Sequence, residues 1–466
     1  MTRGASGGSP RGAMIATAIA AAALLAPPAA IRAQTPLALR EAVEAATVTS
    51  RSLERARLGI DVARADLALA RASFGPSVSA DAGAAWIANP PDGITIPAGD
   101  LGTLTDPLST FPTLVPDRPI VLVPDPDNLG FQASFQLTQP LYTWGKLRAA
   151  RDAAVSGLSA SVARYGETER ELRRTVTLAY AGVIAGRESV PVVEDLAALL
   201  DDRLADARRR YEAGDVTRSA VLTAESRLAT ARLQLVRSRQ GLRSAEESLR
   251  WLTGLDFGAL DPIGPVVRLA EETELIRRAV ARDPRLDELR ATSEQASVQL
   301  RVAEASRPLL PDVGLDLRAE VRGQRIPLLE ANWVDSWNAN LTISIGASAR
   351  ILDSGRNAAE QVRAGAQYRQ ALSAVTEYRE SIPLQVRAAL ERYLIAKAML
   401  AESEAKAAAA EEQRRVAQVA FDNEILSRAE LLGARIGVLE AQLTAVAARL
   451  ELDRGRADLE YFVGPL

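Results

Sequence analysis

The chain has neither cysteine nor histidine among its 466 residues. That excludes disulfides, thiol nucleophiles, zinc sites of the usual kind and Ser-His-Asp chemistry. Aromatic residues make up only 4%, while Ala, Leu, Arg and Glu dominate long stretches. Such a composition favours long helices packed side by side over a compact globular core. Neither sign of charge prevails: 56 basic and 59 acidic residues are spread along the chain, for a net charge of −3. The basic stripe that a nucleic-acid partner would need is missing, so no nucleic acid is expected. No Gly-rich nucleotide-binding loop occurs either, and no cofactor is expected. Beyond the N-terminal region no run of about 18 apolar residues occurs, so a helical inner-membrane protein is not expected.

What is present begins with a secretory signal over residues 1–33. Arg3 and Arg11 supply its positive region, residues 14–25 its short apolar stretch, and 29–33 a small-residue cleavage zone ending at Ala33.

The rest reads as two copies of one unit. When the sequence is shifted by 210 residues, Gly145 falls on Gly355, Tyr211 on Phe421 and Arg218 on Arg428. Leu222, Ala224, Ala231 and Leu233 fall on Leu432, Ala434, Ala441 and Leu443, and Trp251 falls on Tyr461. Landmarks kept at both ends of so long a register indicate internal duplication. Upstream, Phe74-Gly75-Pro76 resembles Leu309-Leu310-Pro311 at a different offset, because the first copy carries an insertion near 89–129. The first unit is expected over 34–254: a helix, a strand at 77–88, an extracellular loop at 89–129, a strand at 130–142, and a helical hairpin at 145–253 with its tip near 211–217. A Gly- and Pro-rich linker at 255–268 leads to the second unit, 269–466. It should contain a helix, a strand at 311–322, a loop at 323–336, a strand at 337–351, and a hairpin at 355–463 with its tip near 421–427.

The four strands alternate apolar and polar residues with period two. Val313, Leu315, Leu317, Ala319 and Val321 alternate with Asp316, Arg318, Glu320 and Arg322; Ala339, Leu341, Ile343, Ile345 and Ala347 alternate with Asn338, Asn340, Thr342 and Ser344. Each strand has roughly the 9–11 residues needed to cross a bilayer at a tilt. Trp86 and Trp337 stand at strand ends, where aromatic girdles belong. A soluble antiparallel sheet with one buried face is the competing explanation. In a membrane, four strands cannot close a barrel, and lipid does not tolerate open edges. Copies must then share one: two would give eight strands and a filled lumen, three would give twelve and room for a channel.

The helical stretches are too long for a globular domain. Val155, Val162, Val176, Val183 and Val190 recur on a seven-residue grid, with Leu158, Tyr165, Leu172, Ala179 and Val193 three residues behind. A helix from 145 to 211 is about 100 Å long. Pro191 is expected to kink or pause it. In the return helix, Val221, Leu228, Leu235, Leu242 and Leu249 form one heptad row, beside a row of small residues at Ala224, Ala231, Ser238 and Ala245. Heptads of this kind imply left-handed coiled packing with close helix approach. A plain coiled-coil stalk would show them too, but it leaves the strands unexplained.

The order of these parts resembles the TolC-type outer-membrane efflux proteins. The resemblance rests on the signal, the duplicated strand-loop-strand with long hairpin, the junction Gln139-Pro140-Leu141-Tyr142-Thr143-Trp144-Gly145-Lys146, and the turn Tyr211-Glu212-Ala213-Gly214-Asp215-Val216. It implies a mainly helical chain with membrane strands, four per protomer, in a homotrimer with a twelve-stranded β-barrel continued by an α-helical barrel. It also implies insertion in outer-membrane lipid and docking on a periplasmic adaptor and an inner-membrane pump or ABC exporter. The hairpin tips would close the channel and meet the adaptor. The adaptor-docking candidates are Tyr211, Gly214, Val216 and Leu426. The gate and constriction candidates are Asp215, Arg218, Phe421, Glu424, Arg428 and Glu430. The family's polar lock pairs an Asp with a Tyr and an Arg; Ala220, Phe421 and Leu426 stand there instead. Substitute ion pairs between hairpins are expected from Asp215, Arg218, Glu424, Arg428 and Glu430, and three copies of Glu430 would make an acidic ring favouring cations.

The function expected is passive conduction from the periplasm to the exterior. The alternatives are a periplasmic coiled-coil spacer without a pore, and an enzyme using paired carboxylates such as Asp201-Asp202. The latter pair sits on a charged helix face with no pocket signal.

Overall fold

The structure, a computed structural model, describes residues 36–89, 92–98, 118–123, 129–264, 269–306, 310–323, 337–349 and 351–466. The signal at 1–33, the middle of 89–129, most of 323–336 and Leu309 therefore lie outside the described residues.

In chain order the elements are α1 (Leu39–Thr49), α2 (Arg51–Ala72), β1 (Ser77–Trp86), β2 (Ile94–Ile96), β3 (Ile120–Val123) and β4 (Leu129–Tyr142), then α3 (Lys146–Glu212) and α4 (Arg218–Thr253). They continue with α5 (Glu272–Arg282), α6 (Pro284–Ala305), β5 (Asp312–Gly323), β6 (Trp337–Ser348), α7 (Arg356–Asp422) and α8 (Arg428–Val463). The chain divides into two compact units. They do not coincide with the two sequence copies: in the structure the first unit is the described residues up to 56 with 165–283 and 379–466, and the second unit is 57–164 with 284–378.

The second unit holds an antiparallel sheet of order β1-β4-β5-β6. Its register follows from the period-two alternation. Val78 faces Leu137, Leu137 faces Leu317, and Leu317 faces Ile343; one pleat along, Ala80, Phe135, Ala319 and Leu341 form the next row. Every such row is apolar because a slip of one residue would turn each side chain over. This face is bare: Val78, Phe135, Leu341, Ile343 and Ile345 are all more than half exposed. Among the described residues the outer strands β1 and β6 each pair on one side only.

The rim of that face is built by three residues in line. Phe131 faces Gly323, and Gly323 faces Trp337. The Trp337 ring lies over Gly323 and stacks on Phe131, with centroids 6.2 Å apart. A Cβ at position 323 would land on the indole, so only glycine fits.

The sheet has the four strands expected of one chain, and two further short strands lie outside it. β2 and β3 form a separate two-stranded ribbon with a register shift between Ile94 and Thr95, inside the segment that the sequence presents as a Pro-rich loop. Three-residue and four-residue strands separated by prolines carry too little alternation to be read. β1 also stops at Trp86, and β6 at Ser348, short of 88 and 351.

The first unit is helical and packs on the heptad seams. Val176 and Val183 of α3 and Leu249 of α4 have no exposed surface, and Leu172 and Val193 are nearly buried. The Tyr180 hydroxyl sits 2.6 Å from the Leu37 carbonyl and 2.7 Å from that of Asp261. It donates to one or the other and ties the lead-in of α1 to the segment after α4. On α8 the corresponding small residues are Ala434, Ala441, Ala448 and Gly455, and Gly455 lets that helix approach the Tyr393 backbone of α7, where a Cβ would stand 3.1 Å away.

Pro191 does not pause α3, which runs unbroken from Lys146 to Glu212. The other long helix, α7, also carries an internal proline, Pro383, at an unrelated position. Among the described residues one helix, α8, is long and apolar enough to cross a membrane. Length and composition alone also admit the core helix of a bundle. Leu431, Val438, Leu452 and Leu459 of α8 are buried within the chain at seven-residue or fourteen-residue spacing.

Candidate functional site

The candidate residues gather at two helix turns of the first unit, between α3 and α4 and between α7 and α8. In the first turn the amide of Gly214 bonds the Tyr211 carbonyl at 3.0 Å, and that of Asp215 bonds the Arg210 carbonyl at 2.8 Å. In the second, Glu424 bonds Phe421 at 2.9 Å and Ile425 bonds Ala420 at 2.9 Å. Both are Schellman closures, which need one left-handed residue just past the helix. Gly214 fills it with φ of 84°; Glu424 fills it with φ of 61° and carries the steric cost of its Cβ.

The next helices start differently. Ser427 caps α8, and its partner three residues on is Glu430. The Glu430 amide donates to the Ser427 hydroxyl at 3.4 Å, and the Ser427 amide donates to Glu430 Oε2 at 2.9 Å. The Ser427 hydroxyl also donates to Glu430 Oε2 at 2.6 Å. These bonds, aided by the charge of Arg210, hold the Glu430 carboxyl below its usual range. Thr217 occupies the cap position of α4 but makes no side-chain cap bond, and α4 has no acid in its first turn.

Arg218 and Arg428 are the first residues of α4 and α8. A cation there sits at the positive end of the helix dipole and calls for an outside acceptor. Among the described residues Asp215, Arg218, Glu424 and Arg428 make no ion pair within the chain, so these four do not join the two turns in one copy. Tyr211 and Gly214 are exposed, while Val216, Phe421 and Leu426 are half-buried. Ile425, 79% exposed, is the most open apolar side chain at either turn and was not among the candidates. The Ser427–Glu430 box was readable from its spacing, Ser followed three residues later by Glu.

The second unit presents a polar surface opposite the apolar sheet face. Thr138 and Gln136 both donate to Asp316 Oδ1, at 3.1 and 2.8 Å, and Arg318 donates to the Gln136 side chain at 3.0 Å. Where β4 passes into α3, Lys146 pairs with Asp312 at 2.8 Å and the Trp144 indole donates to the Pro311 carbonyl at 2.9 Å. A sheet with charges and amides on one face and bare aliphatic side chains on the other suits a wall between water and lipid.

A family model described as outer membrane efflux protein matches residues 42–255 and 275–464. The outer membrane efflux protein BepC of Brucella suis is 24% identical over 325 residues, which is 70% of this chain and 68% of that protein. The fold is that of solved outer-membrane channels. The CmeC outer membrane channel of Campylobacter jejuni superposes with a TM-score of 0.70 at 15% identity, over 91% of this chain and 85% of that one. The outer membrane protein VceC of Vibrio cholerae superposes at 0.68 with 17% identity, over 92% and 96%. The open-state MtrE outer membrane channel of Neisseria gonorrhoeae does so at 0.68 with 18% identity, over 92% and 89%.

Proposed function

The chain belongs to the outer membrane efflux protein family, and on that premise we propose that three copies join their sheets into one twelve-stranded barrel that continues as a helical tunnel. Its place is the outer membrane, and its family is one of channels rather than enzymes. The observation that carries the trimer is the continuous apolar face of the four strands, bare on β1, β4 and β6 and half-buried on β5, in a sheet whose two outer strands lack a second neighbour among the described residues. Lipid would accept that face but not those edges. Twelve strands leave a lumen, whereas eight would be filled by side chains.

Equal element lengths support the duplication. α1 and α5 have 11 residues each, α2 and α6 have 22, α3 and α7 have 67, and α4 and α8 have 36.

The tunnel would serve as the exit of a tripartite efflux or type I secretion machine, passing substrate from an inner-membrane pump or ABC exporter through a periplasmic adaptor. The two turns are its docking end. Arg218 and Arg428, at helix starts and without an ion pair among the described residues, suit acidic groups of an adaptor or of a neighbouring hairpin. Three Glu430 carboxylates would line the narrowest point and favour cations.

The test is extraction and reconstitution. Mature protein should need detergent, have the mass of a trimer, and give single-channel currents in a planar bilayer. A water-soluble assembly without conductance would overturn the reading in favour of a periplasmic spacer.

A further inference from the structure

The four long helices of the first unit form a row. α3 meets α4 through Arg208 and Glu225 at 2.7 Å, α3 meets α8 through Arg174 and Asp458 at 2.7 Å, and α8 meets α7 through Asp458 and Arg392 at 3.1 Å. Among the described residues the order of the four long helices is therefore α4-α3-α8-α7, with no further long helix beyond α4 or α7; the short α1 lies against α4, where Thr49 Oγ1 donates to the Leu252 carbonyl at 3.0 Å, and the short α5 meets α7 through Glu272 and Arg387 at 2.7 Å.

The α3–α8 contact joins one half of the chain to the other. Its centre is polar. The Arg174 guanidinium lies over the Tyr461 ring, 5.9 Å from the centroid, and binds Asp458; the Tyr461 hydroxyl bonds Glu167. The register of 210 carries Tyr461 back to Trp251 and Asp458 back to Ser248, both on α4, and carries Arg174 forward to Leu384 on α7. The equivalent positions thus hold an indole, a hydroxyl and an aliphatic side chain on the two outer helices. Both large groups are bare in the single chain: Trp251 is 82% exposed and Leu384 is 64% exposed.

We propose that Trp251 of one copy packs on Leu384 of the next, so that the seam between copies repeats the geometry of the α3–α8 seam with its ionic centre replaced by an apolar one. The inference rests on the shared-barrel reading. The occupant is a second copy: α4 lacks the long-helix partner that α8 finds in α3, and among the described residues α7, the equivalent of α3, has no long helix on that side. Without counterparts of Arg174 and Asp458, the equivalent sites avoid the cost of taking those charges out of water when separate chains join. Buried aromatic anchors are the usual centres of such interfaces.

The chain has no cysteine, so introduced pairs report one contact each. Full-length protein carrying Trp251→Cys and Leu384→Cys, treated in detergent with a short bis-maleimide, should run on a denaturing gel as species of two and three chains. The control pair Arg174→Cys and Tyr461→Cys should react without any gain in mass, because both belong to one chain. An assembled Trp251/Leu384 double variant that stays at single-chain mass would overturn the proposal. If that variant does not assemble, Leu384→Arg, which restores the within-chain chemistry opposite Trp251, should keep the trimer to a higher temperature in detergent than Leu384→Asp. Equal behaviour of the two would also overturn it. A native protein that is monomeric in detergent would instead defeat the shared barrel itself, which separates the two failures.

Discussion

Glu424 occupies, in the turn between α7 and α8, the left-handed backbone position that Gly214 occupies between α3 and α4. The two turns are otherwise closed by the same pair of backbone bonds. A side chain at that position costs about 1 kcal/mol in a residue that is not glycine. Replacing Glu424 by Gly should therefore slow hydrogen exchange at the Ile425 amide, and Gly214→Ala should speed it at Asp215. Opposite signs at the two turns are the expected result, because the substitutions add strain at one and relieve it at the other.

The capping box at the start of α8 gives a second prediction. Ser427→Ala should destabilise the first turn of α8 by about 1 kcal/mol, the usual cost of losing such a cap. The box also responds to acid. Glu430 is held below its ordinary value in the folded chain by Ser427 first and Arg210 second. Its contribution is therefore present above the unfolded carboxyl value and is lost as pH falls through the lower, folded one. Limited proteolysis of the turn should accelerate as pH falls below the ordinary carboxylate value, and Ser427→Ala should flatten that response.

The same Glu430 is the constriction candidate. In a bilayer, Glu430→Ala should lower the preference of the pore for cations over anions, and Glu430→Asp should largely keep it. An unchanged ratio of permeabilities in the alanine variant would confine Glu430 to its cap.

Asp453 on α8 titrates the other way. Burial raises its carboxyl to about 6, against the opposing pull of Arg449 and Arg456, with Glu188 adding to the rise. A raised acid binds a proton more tightly folded than unfolded, so stability falls as pH climbs from the unfolded value near 4 through about 6. Asp453→Asn should raise the unfolding temperature at neutral pH and remove that slope. Thermal unfolding in detergent across this range measures it.

At the sheet rim, Gly323→Ala should be destabilising, by roughly 1–3 kcal/mol as for other overpacked sites. Trp337→Ala alone removes a stacked ring. The double variant should recover much of the loss from Gly323→Ala, since the clash needs both partners. Circular dichroism melts of the four proteins complete the cycle.

The alternation of Val313 to Val321 and of Ala339 to Ala347 was legible because a period of two has only one way to place its apolar residues on one side. The buried run Val176, Val183, Leu249 was legible for the same kind of reason, at a period of seven. Val155 and Val162 belong to the same heptad row yet are 43% and 51% exposed. The pattern names a seam without saying which chain fills it. The turns were harder to read. Glu424 gives no local sign that its backbone is left-handed, because the sign is usually a glycine. Arg210, which acts on Glu430 from the end of α3, lies far from it in sequence. The β2–β3 ribbon was lost among prolines, where three residues such as Ile94–Ile96 cannot establish a period.

The open borders of β1 and β6 carry a genetic consequence. If a ring is sealed only when every member offers both borders, one defective member spoils the whole ring. In a cell making equal amounts of intact and edge-damaged chains, random assembly into threes would leave about one ring in eight entirely sound. A lesion in either border strand should then behave as dominant, whereas a lesion that prevents folding altogether should be recessive.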